Sequence, residues 1–449
     1  MFFNQSCQIL RYTGPILVAQ LASISMTIID SVLLGHFNTE DLAAVAVGGG
    51  IYIALLLALA GVAQAIAPIT AHLKGAQKDS EIAGELQQAI WLALFLSLPG
   101  IFCLYNPDVF FIISPMDQAL EIKARQYLIA LAWGVPAALL YRTFYAFCNA
   151  LGKPLPFMVI ALCGALLHGF LAWILVNGHW SKAGIGLGVL GCGISNATVN
   201  WFVLCAGLTY LAHSKTFQPY KLFTNWKLPK ISKLRELIRL GLPIGLSSFI
   251  EVSSFTFSAV LVAQLGATIV AGHRIVLNLA AIGYMLPLSL SIATLALVGH
   301  AVGAKDWMRA KITSLAGIAI AAALSGILSL ILWLSRDLIV GLYTNDINVH
   351  AIAVSLIIYI VLYQVFDAIQ AVAAFSLRGY KITFVPMLVH LICFWGIGLF
   401  GGWWLAFRAA NPMGVTGFWL ASLSGLIVAS LFLGALLYWR TTYNETAKN

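Results

Sequence analysis

Charge is what this sequence has least of. Only 9% of its 449 residues are charged, whereas a soluble domain carries about 25% because its surface must face water. So few ionic groups cannot make a water-facing shell, so lipid must cover most of the surface. Cysteine chemistry is equally thin. Cys7, Cys103, Cys148, Cys163, Cys192, Cys205 and Cys393 are scattered, with no CxxC pair and no metal-ligand spacing, and they read as small apolar filler. No GxxxxGK[ST] segment is present, so hydrolysis of a bound nucleotide is not the energy source. There is no GxSxG elbow, no HExxH pair and no soluble insertion large enough for a catalytic domain. A membrane-embedded enzyme would need a converging nucleophile, base and oxyanion donors, and no local motif supplies them. The chain is therefore not read as an enzyme, and it calls for no cofactor.

Apolar side chains dominate instead, at 61% of the chain, in runs long enough to cross a hydrocarbon core of about 30 Å, which takes roughly 20 residues. Spans are expected near Tyr12–Gly35, Val45–Ala71, Leu86–Tyr105, Tyr127–Ala150, Phe157–Val176 and Gly184–Ala212. A second set is expected near Leu240–Gln264, Ala271–His300, Ile312–Leu334, His350–Leu377, Thr383–Phe407 and Gly414–Trp439. The first span is too long for the apolar region of a cleaved signal peptide and is expected to be retained.

The formal charge of +9 invites comparison with nucleic-acid binders, but placement argues against one. With a cytoplasmic N-terminus, the inside segments hold Arg11, Lys74, Lys78, Lys153, Lys305, Arg309, Lys311, Arg378, Lys381, Arg440 and Lys448. They also hold the dense group from Lys215 to Arg239. The outside loops hold only Lys123, Arg125, Lys182, Arg336 and Arg408. That asymmetry is the one expected when basic loops stay cytoplasmic. No nucleic-acid partner is expected, and membrane lipid is an expected partner. Both termini are expected on the cytoplasmic side of the membrane, with the protein acting as a monomer.

The two sets of spans repeat each other. Pro15 precedes Pro243, and His72-x-x-Gly75-Ala76 precedes His300-x-x-Gly303-Ala304, each by about 228 residues. Gly152 precedes Gly379, and Gly188-Val189-x-Gly191 precedes Gly414-Val415-x-Gly417, at nearly the same offset. Ordered matches at near-constant spacing mark an internal duplication. An even number of spans per half makes the repeats parallel, related by an axis along the membrane normal. The expected organisation is thus all-α and polytopic, with twelve transmembrane helices in two six-helix lobes. Residues 1–212 form the N-terminal lobe, 213–239 a basic cytoplasmic linker and 240–449 the C-terminal lobe. Two similar halves suit alternating access, and transport is the expected activity.

Three carboxylates sit inside spans, where each costs several kcal/mol unless protonated, paired or hydrated: Asp30, Glu251 and Asp367. Each lies on a polar stripe at helical spacing. Gln20, Ser23, Thr27 and Asp30 form one stripe, Ser247, Ser248, Glu251, Ser254 and Ser258 a second, and Tyr363, Asp367 and Gln370 a third. At about 1.5 Å rise per residue, Glu251 and Asp367 both fall about 15 Å deep and are placed to share one site, while Asp30 is shallower. The competing reading makes each a structural hydrogen-bond partner in the bundle. Arg142 and Arg274 lie near span ends and are expected to snorkel. An unperturbed histidine side chain changes charge near neutral pH, so His168 is a candidate for proton relay, against a packing role. His273 and His390 also lie in or at the edge of spans.

These residues carry a family pattern. The chain resembles the multidrug and toxic compound extrusion (MATE) family, in its NorM-like bacterial branch, nearly end to end. The resemblance is strongest in Asp30-Ser31-Val32-Leu33-Leu34-Gly35-His36, in Glu251-Val252, in Ala271-Gly272-His273-Arg274-Ile275 with Asn278, and in Val298-Gly299-His300-x-x-Gly303. Its most specific piece is Asp367-Ala368-x-Gln370-x-x-Ala373-Ala374-x-Ser376-Leu377-Arg378-Gly379-Tyr380-Lys381. The resemblance implies an antiporter in which Na+ or H+ entry drives export of amphipathic, often cationic drugs. It implies that Glu251, Asp367 and Tyr363 belong to a C-lobe cation site, a possible Na+ site at Glu251 and Asp367, and that Asp30 belongs to an N-lobe site. Gln370, Thr27, His168 and Arg274 are further candidates. Relatives often carry two asparagines on the fifth span where this chain has His168 and Ala172. That loses neutral oxygen ligands of the kind a hard cation takes, adds a titratable ring, and favours a proton there. Arg274 replaces what is commonly a glutamine. A rival within the same superfamily, a flippase for lipid-linked precursors, would favour a cavity rich in basic residues, and only Arg142 and Arg274 are available.

Overall fold

The computed structural model describes residues 1–113, 117–178 and 186–446, and among them every regular element is helical. The expected start of the sixth span at Gly184, and the loop charges Lys182 and Lys448, lie outside the described residues. In chain order the helices are α1 (Phe2–Phe37), α2 (Thr39–Ala63), α3 (Ile66–Gly75), α4 (Asp79–Tyr105), α5 (Asp108–Ile113), α6 (Gln118–Ala132), α7 (Val135–Ala150), α8 (Leu155–Asn177) and α9 (Val189–His213). There follow α10 (Ile231–Val262), α11 (Ala267–Gly303), α12 (Trp307–Leu334), α13 (Arg336–Tyr343), α14 (Ile347–Gly379), α15 (Phe384–His390), α16 (Gly401–Phe407) and α17 (Val415–Thr446). Residues Leu391–Phe400, between α15 and α16, are wound as a π-helix.

Among the described residues, eleven helical stretches are long and apolar enough to cross a membrane, and twelve if the bent pair α6–α7 is one span. Helix starts follow local chemistry, because the first backbone N–H groups of a helix lack intrahelical acceptors. Asn38 accepts from the N–H of Glu40, Asp306 from that of Arg309, and Asp346 from those of Asn348 and Val349.

Proline places the breaks. A proline has no N–H to give to the carbonyl four residues earlier, and its ring crowds that carbonyl. Pro68 stands four residues after Gln64, where α2 gives way to α3, and Pro136 four after Ala132, where α6 ends. The second break bends the chain by 51°. The fourth span, expected as one run over Tyr127–Ala150, is therefore two helices, and it starts earlier, at Gln118.

By packing, the chain divides into two units. Unit 1 comprises Met1–Leu17, Gly75–Gln77 and Leu246–Asn449, and unit 2 comprises Val18–Lys74 and Lys78–Gly245. The division departs from the expected lobes at the first helix of each half. The opening turns of α1 belong with the C-terminal helices: Ile9 and Ile16 are buried with Leu290, Ala293 and Ala316, and Gln5 accepts a hydrogen bond from Thr313. The linker and the start of α10 belong with the N-terminal helices. Gln87 and Gln88 of α4 bond the linker backbone at Leu222, Lys227, Leu228 and Lys230, and Lys233 pairs with Glu85 at 2.6 Å. The division falls after Leu17 and after Gly245, two residues beyond Pro15 and Pro243.

The duplication is visible in the backbone. Gln77 and Lys305 take left-handed φ values of 57° and 59°, and Gly188 and Gly414 of 51° and 58°. Within unit 2, α8 packs on α9, α6 on α2 and α9, and α4 on α7. Within unit 1, α14 is central and packs along α11, α12 and α17.

Candidate functional site

In unit 1 the polar cluster grows from the middle of α14. Tyr363, Asp367 and Gln370, one and two turns apart, are all buried, so the stripe faces the bundle. Gln370 Nε2 donates to Asp367 Oδ1 at 3.1 Å. Its Oε1 lies 3.0 Å from His390 Nε2, at the end of α15. Since the Gln370 amide nitrogen is turned to Asp367, its oxygen needs a donor, and His390 must present Nε2–H. The other ring nitrogen, Nδ1, is buried without a hydrogen-bond partner.

Glu251 enters from α10 and is partly buried. The Tyr284 hydroxyl of α11 donates to it, and it lies near enough to both Asp367 and Arg378 to feel their charges. Glu251 and Asp367, placed by the sequence to share one site, thus lie within electrostatic reach of each other. Arg378, in the last turn of α14, is buried at 6% exposure with its guanidinium 4.1 Å from the centre of the Phe375 ring. Burial is possible because the planar cation stacks on a ring face and carries opposite charge to Glu251.

Gly283 lets the next side chain of this cluster approach. A Cβ there would run into the Gln364 carboxamide, and Gln364 Oε1 is buried without a hydrogen-bond partner. The π-helical stretch alters the opposite wall. It leaves the Phe394 carbonyl to accept from Ser254 Oγ at 2.9 Å, and Trp395 donates to the Ile250 carbonyl at 3.2 Å. Such π segments frequently accompany functional sites. An aromatic layer covers Tyr363: Phe255 at 6.2 Å and Trp419 at 6.1 Å, both edge-on. Trp419 Nε1 donates to His273 Nδ1 at 3.1 Å.

In unit 2 the buried carboxylate is Asp30. His168 Nε2 lies 2.9 Å from Asp30 Oδ1, and Ser195 Oγ 3.1 Å from His168 Nδ1. The three residues come from α1, α8 and α9 and are 3%, 0% and 0% exposed. His168 is thus a hydrogen-bond partner of the carboxylate. Gln20 of the first stripe is also buried, but Thr27 is exposed and does not join Asp30. Arg274 is exposed on α11, and Arg142, partly buried, lies within electrostatic reach of Tyr52, Tyr141 and Tyr145.

Four participants were not singled out from the sequence: Ser195, Tyr284, Gln364 and Asp41. Asp41 is 5% exposed in the first turn of α2. Its Oδ1 pairs with Lys123 Nζ at 2.6 Å, and its Oδ2 accepts from the N–H of Val189 at 3.0 Å. Gly188, at φ 51°, makes this approach possible, since a Cβ there would meet the Asp41 carboxylate. Acidity at a helix start was the available signal. Among the described residues, no three His, Cys, Asp or Glu side chains gather as a metal site.

The two-part sequence pattern described above also has a counterpart among known proteins. The sequence model of the MatE family matches residues 15–174 and again 243–404. The chain belongs to the MATE family. The two matches begin at the same offset as the prolines, one per half. This MATE chain is 49% identical over 439 residues to the probable multidrug resistance protein NorM of Aromatoleum aromaticum, covering 97% of the chain and 94% of that protein. It is 34% identical to the multidrug resistance protein NorM of Vibrio cholerae, covering 97% of the chain and 96% of that protein. These place it in the NorM-like bacterial branch, among transporters and not enzymes. The fold is that of the eukaryotic MATE transporter AtDTX14, with a TM-score of 0.89 at 18% identity, covering 99% of each chain. A MOP-superfamily transporter from Pyrococcus furiosus also matches, with a TM-score of 0.87 at 16% identity, over 98% and 97% of the two chains.

Proposed function

We propose that this MATE transporter is a multidrug exporter of the bacterial inner membrane. It would exchange amphipathic, often cationic compounds for H+ or Na+ by alternating access, with both termini and the basic linker in the cytoplasm. The observation that carries the reading is the pair Asp367 and Glu251, buried or half-buried side by side among apolar helices. Carboxylates in that setting are costly, and a single Arg378 nearby leaves them short of positive charge. A transported cation makes up the deficit in one step of the cycle and a cationic drug in another. Competition for the same negative charge then couples the two fluxes.

The donor set suits either ion. Asp367, Glu251, the Tyr284 hydroxyl and Gln364 Oε1 are oxygens of the kind a hard cation takes, and each carboxylate also accepts a proton. The names of the NorM relatives support drugs as the exported class.

The test is efflux of a fluorescent cationic dye from cells making matched membrane levels of wild type, Asp367→Asn and Glu251→Gln. Each variant is expected to lose export while remaining folded. Export at the wild-type rate by both would remove the C-lobe cluster from the mechanism.

A further inference from the structure

Resting on the antiport reading above, we propose that Asp30, His168 and Ser195 form a proton-binding site of unit 2, with His168 as the carrier and Ser195 as the group that accommodates both of its protonation states.

The hydrogen-bond inventory leads there. An ionised carboxylate only accepts, so the bond of 2.9 Å between Asp30 Oδ1 and His168 Nε2 requires Nε2–H. The second nitrogen, Nδ1, is then either bare, in the neutral ring, or protonated, in the imidazolium. Ser195 Oγ lies 3.1 Å from Nδ1 and also 3.1 Å from the His168 carbonyl oxygen. A hydroxyl has one proton to give and two lone pairs. With the neutral ring, the hydroxyl donates to Nδ1. With the imidazolium, Nδ1–H donates to Oγ, and the hydroxyl proton turns to the His168 carbonyl. The change is a rotation of one hydrogen about Cβ–Oγ, with no heavy atom displaced. Both states are therefore fully hydrogen-bonded in a place where an unmade bond is costly. A site with a purely structural task would need only one of them.

Charge explains what loading achieves. Among the described residues, Asp30 pairs with no lysine or arginine, only with His168. The other titratable groups within reach of its charge are Tyr127 of α6 and Cys192 of α9, and Asp41 in turn acts on Cys192. None of these adds a positive charge. The empty site thus holds one uncompensated negative charge, and the proton-loaded site is a neutral pair. A cationic compound and the proton would compete for that single charge. A metal ion fits poorly: His168 has both nitrogens engaged, and hard cations need several oxygen ligands.

The site is particular to one half. By the duplication, Asp30 corresponds to Ser258, and Ser195, seven residues after Gly188, corresponds to Ala421, seven after Gly414. Unit 1 thus lacks the carboxylate at the first position and the hydroxyl at the second, and Ser258 lines a small cavity with His273 and Trp419, with no carboxylate among the lining side chains.

The experiment uses the full chain in vesicles, with a fluorescent lipophilic cation and an imposed proton gradient, in wild type, His168→Asn, Ser195→Ala and Ser195→Thr. His168→Asn is expected to lose proton-driven transport at least tenfold. Ser195→Ala keeps transport, but the alkaline limb of its pH profile moves to lower pH by about half a unit to one unit, because the imidazolium loses an acceptor. Ser195→Thr, which keeps the hydroxyl, retains the wild-type profile. Independently, nitrogen NMR of histidine-labelled protein follows the signals absent from His168→Asn. They are expected to pass from one bare and one protonated nitrogen to two protonated nitrogens as pH falls through the transport range. Unchanged proton-driven transport in His168→Asn, or a single His168 protonation state throughout that range, would overturn the proposal. A wild type that responds to no gradient, while its His168 still titrates, would overturn the antiport reading and leave the proton site standing.

Discussion

Replacing His390 with leucine removes the donor that fixes the Gln370 carboxamide. In the native arrangement the amide is held at both ends, at 3.0 Å by His390 and at 3.1 Å on Asp367. Both Gln370 and His390 are almost fully buried, at 1% and 2% exposure, so water cannot replace the lost donor. The orphaned amide oxygen would cost about 1–3 kcal/mol. If the amide instead turns its oxygen toward Asp367, it loses its bond to the ionised carboxylate and sets two acceptors face to face. Either outcome disfavours the arrangement that presents Asp367 to a cation. At about 1.4 kcal/mol per factor of ten, dye export from energised vesicles should fall roughly five- to 150-fold. His390→Gln keeps an N–H donor at similar reach, and it should recover export to within a few-fold of wild type. Rates are compared at matched protein content, with thermal stability in detergent as the control for folding. Export within twofold of wild type in His390→Leu, alongside a defective Gln370→Leu, would refute the claim that His390 orients Gln370.

Other outcomes follow from single contacts. Gly283→Ala should drive its new Cβ into the Gln364 carboxamide, costing about 1–3 kcal/mol as overpacking and lowering export. Adding Gln364→Ala should relieve the clash, so the double variant is more stable than Gly283→Ala alone in a melting assay. Asp41→Ala strips Lys123 and the Val189 N–H of their shared acceptor. Allowing for the partial exposure of Lys123, it should lose ~2–4 kcal/mol, read as a lowered melting temperature in detergent.

The long-range character of the molecule was legible wherever a signal runs along one helix. Apolar runs located the spans, and the three- and four-residue spacing of Tyr363, Asp367 and Gln370 marked a buried face because one helix carries all three. The repeat of Gly188 and Gly414 was legible for another reason, because duplicated segments keep their residues in order at a near-constant offset. What joins separate helices was not. His168 meets Asp30 across 138 residues, and Gln370 meets His390 across 20 with a turn between. Neither spacing has a period to read. Thr27 shares the helical spacing of Asp30 but ends exposed, since a stripe predicts direction and not what stands opposite. That Arg378, at the end of its span, is buried within reach of Glu251 was not legible, because Glu251 lies on another helix. The bend between α6 and α7 was encoded locally, in Pro136, but the continuous apolar run around it masked the break.

Cation-driven exchange is most directly tested by reconstituting the purified chain in sealed vesicles and imposing sodium and proton gradients separately. Accumulation of a fluorescent cation should follow at least one of the two gradients in wild type, and should be abolished by Asp367→Asn under that same gradient. Accumulation that follows neither gradient, or that persists unchanged when Asp367 and Glu251 are both neutralised, would contradict it.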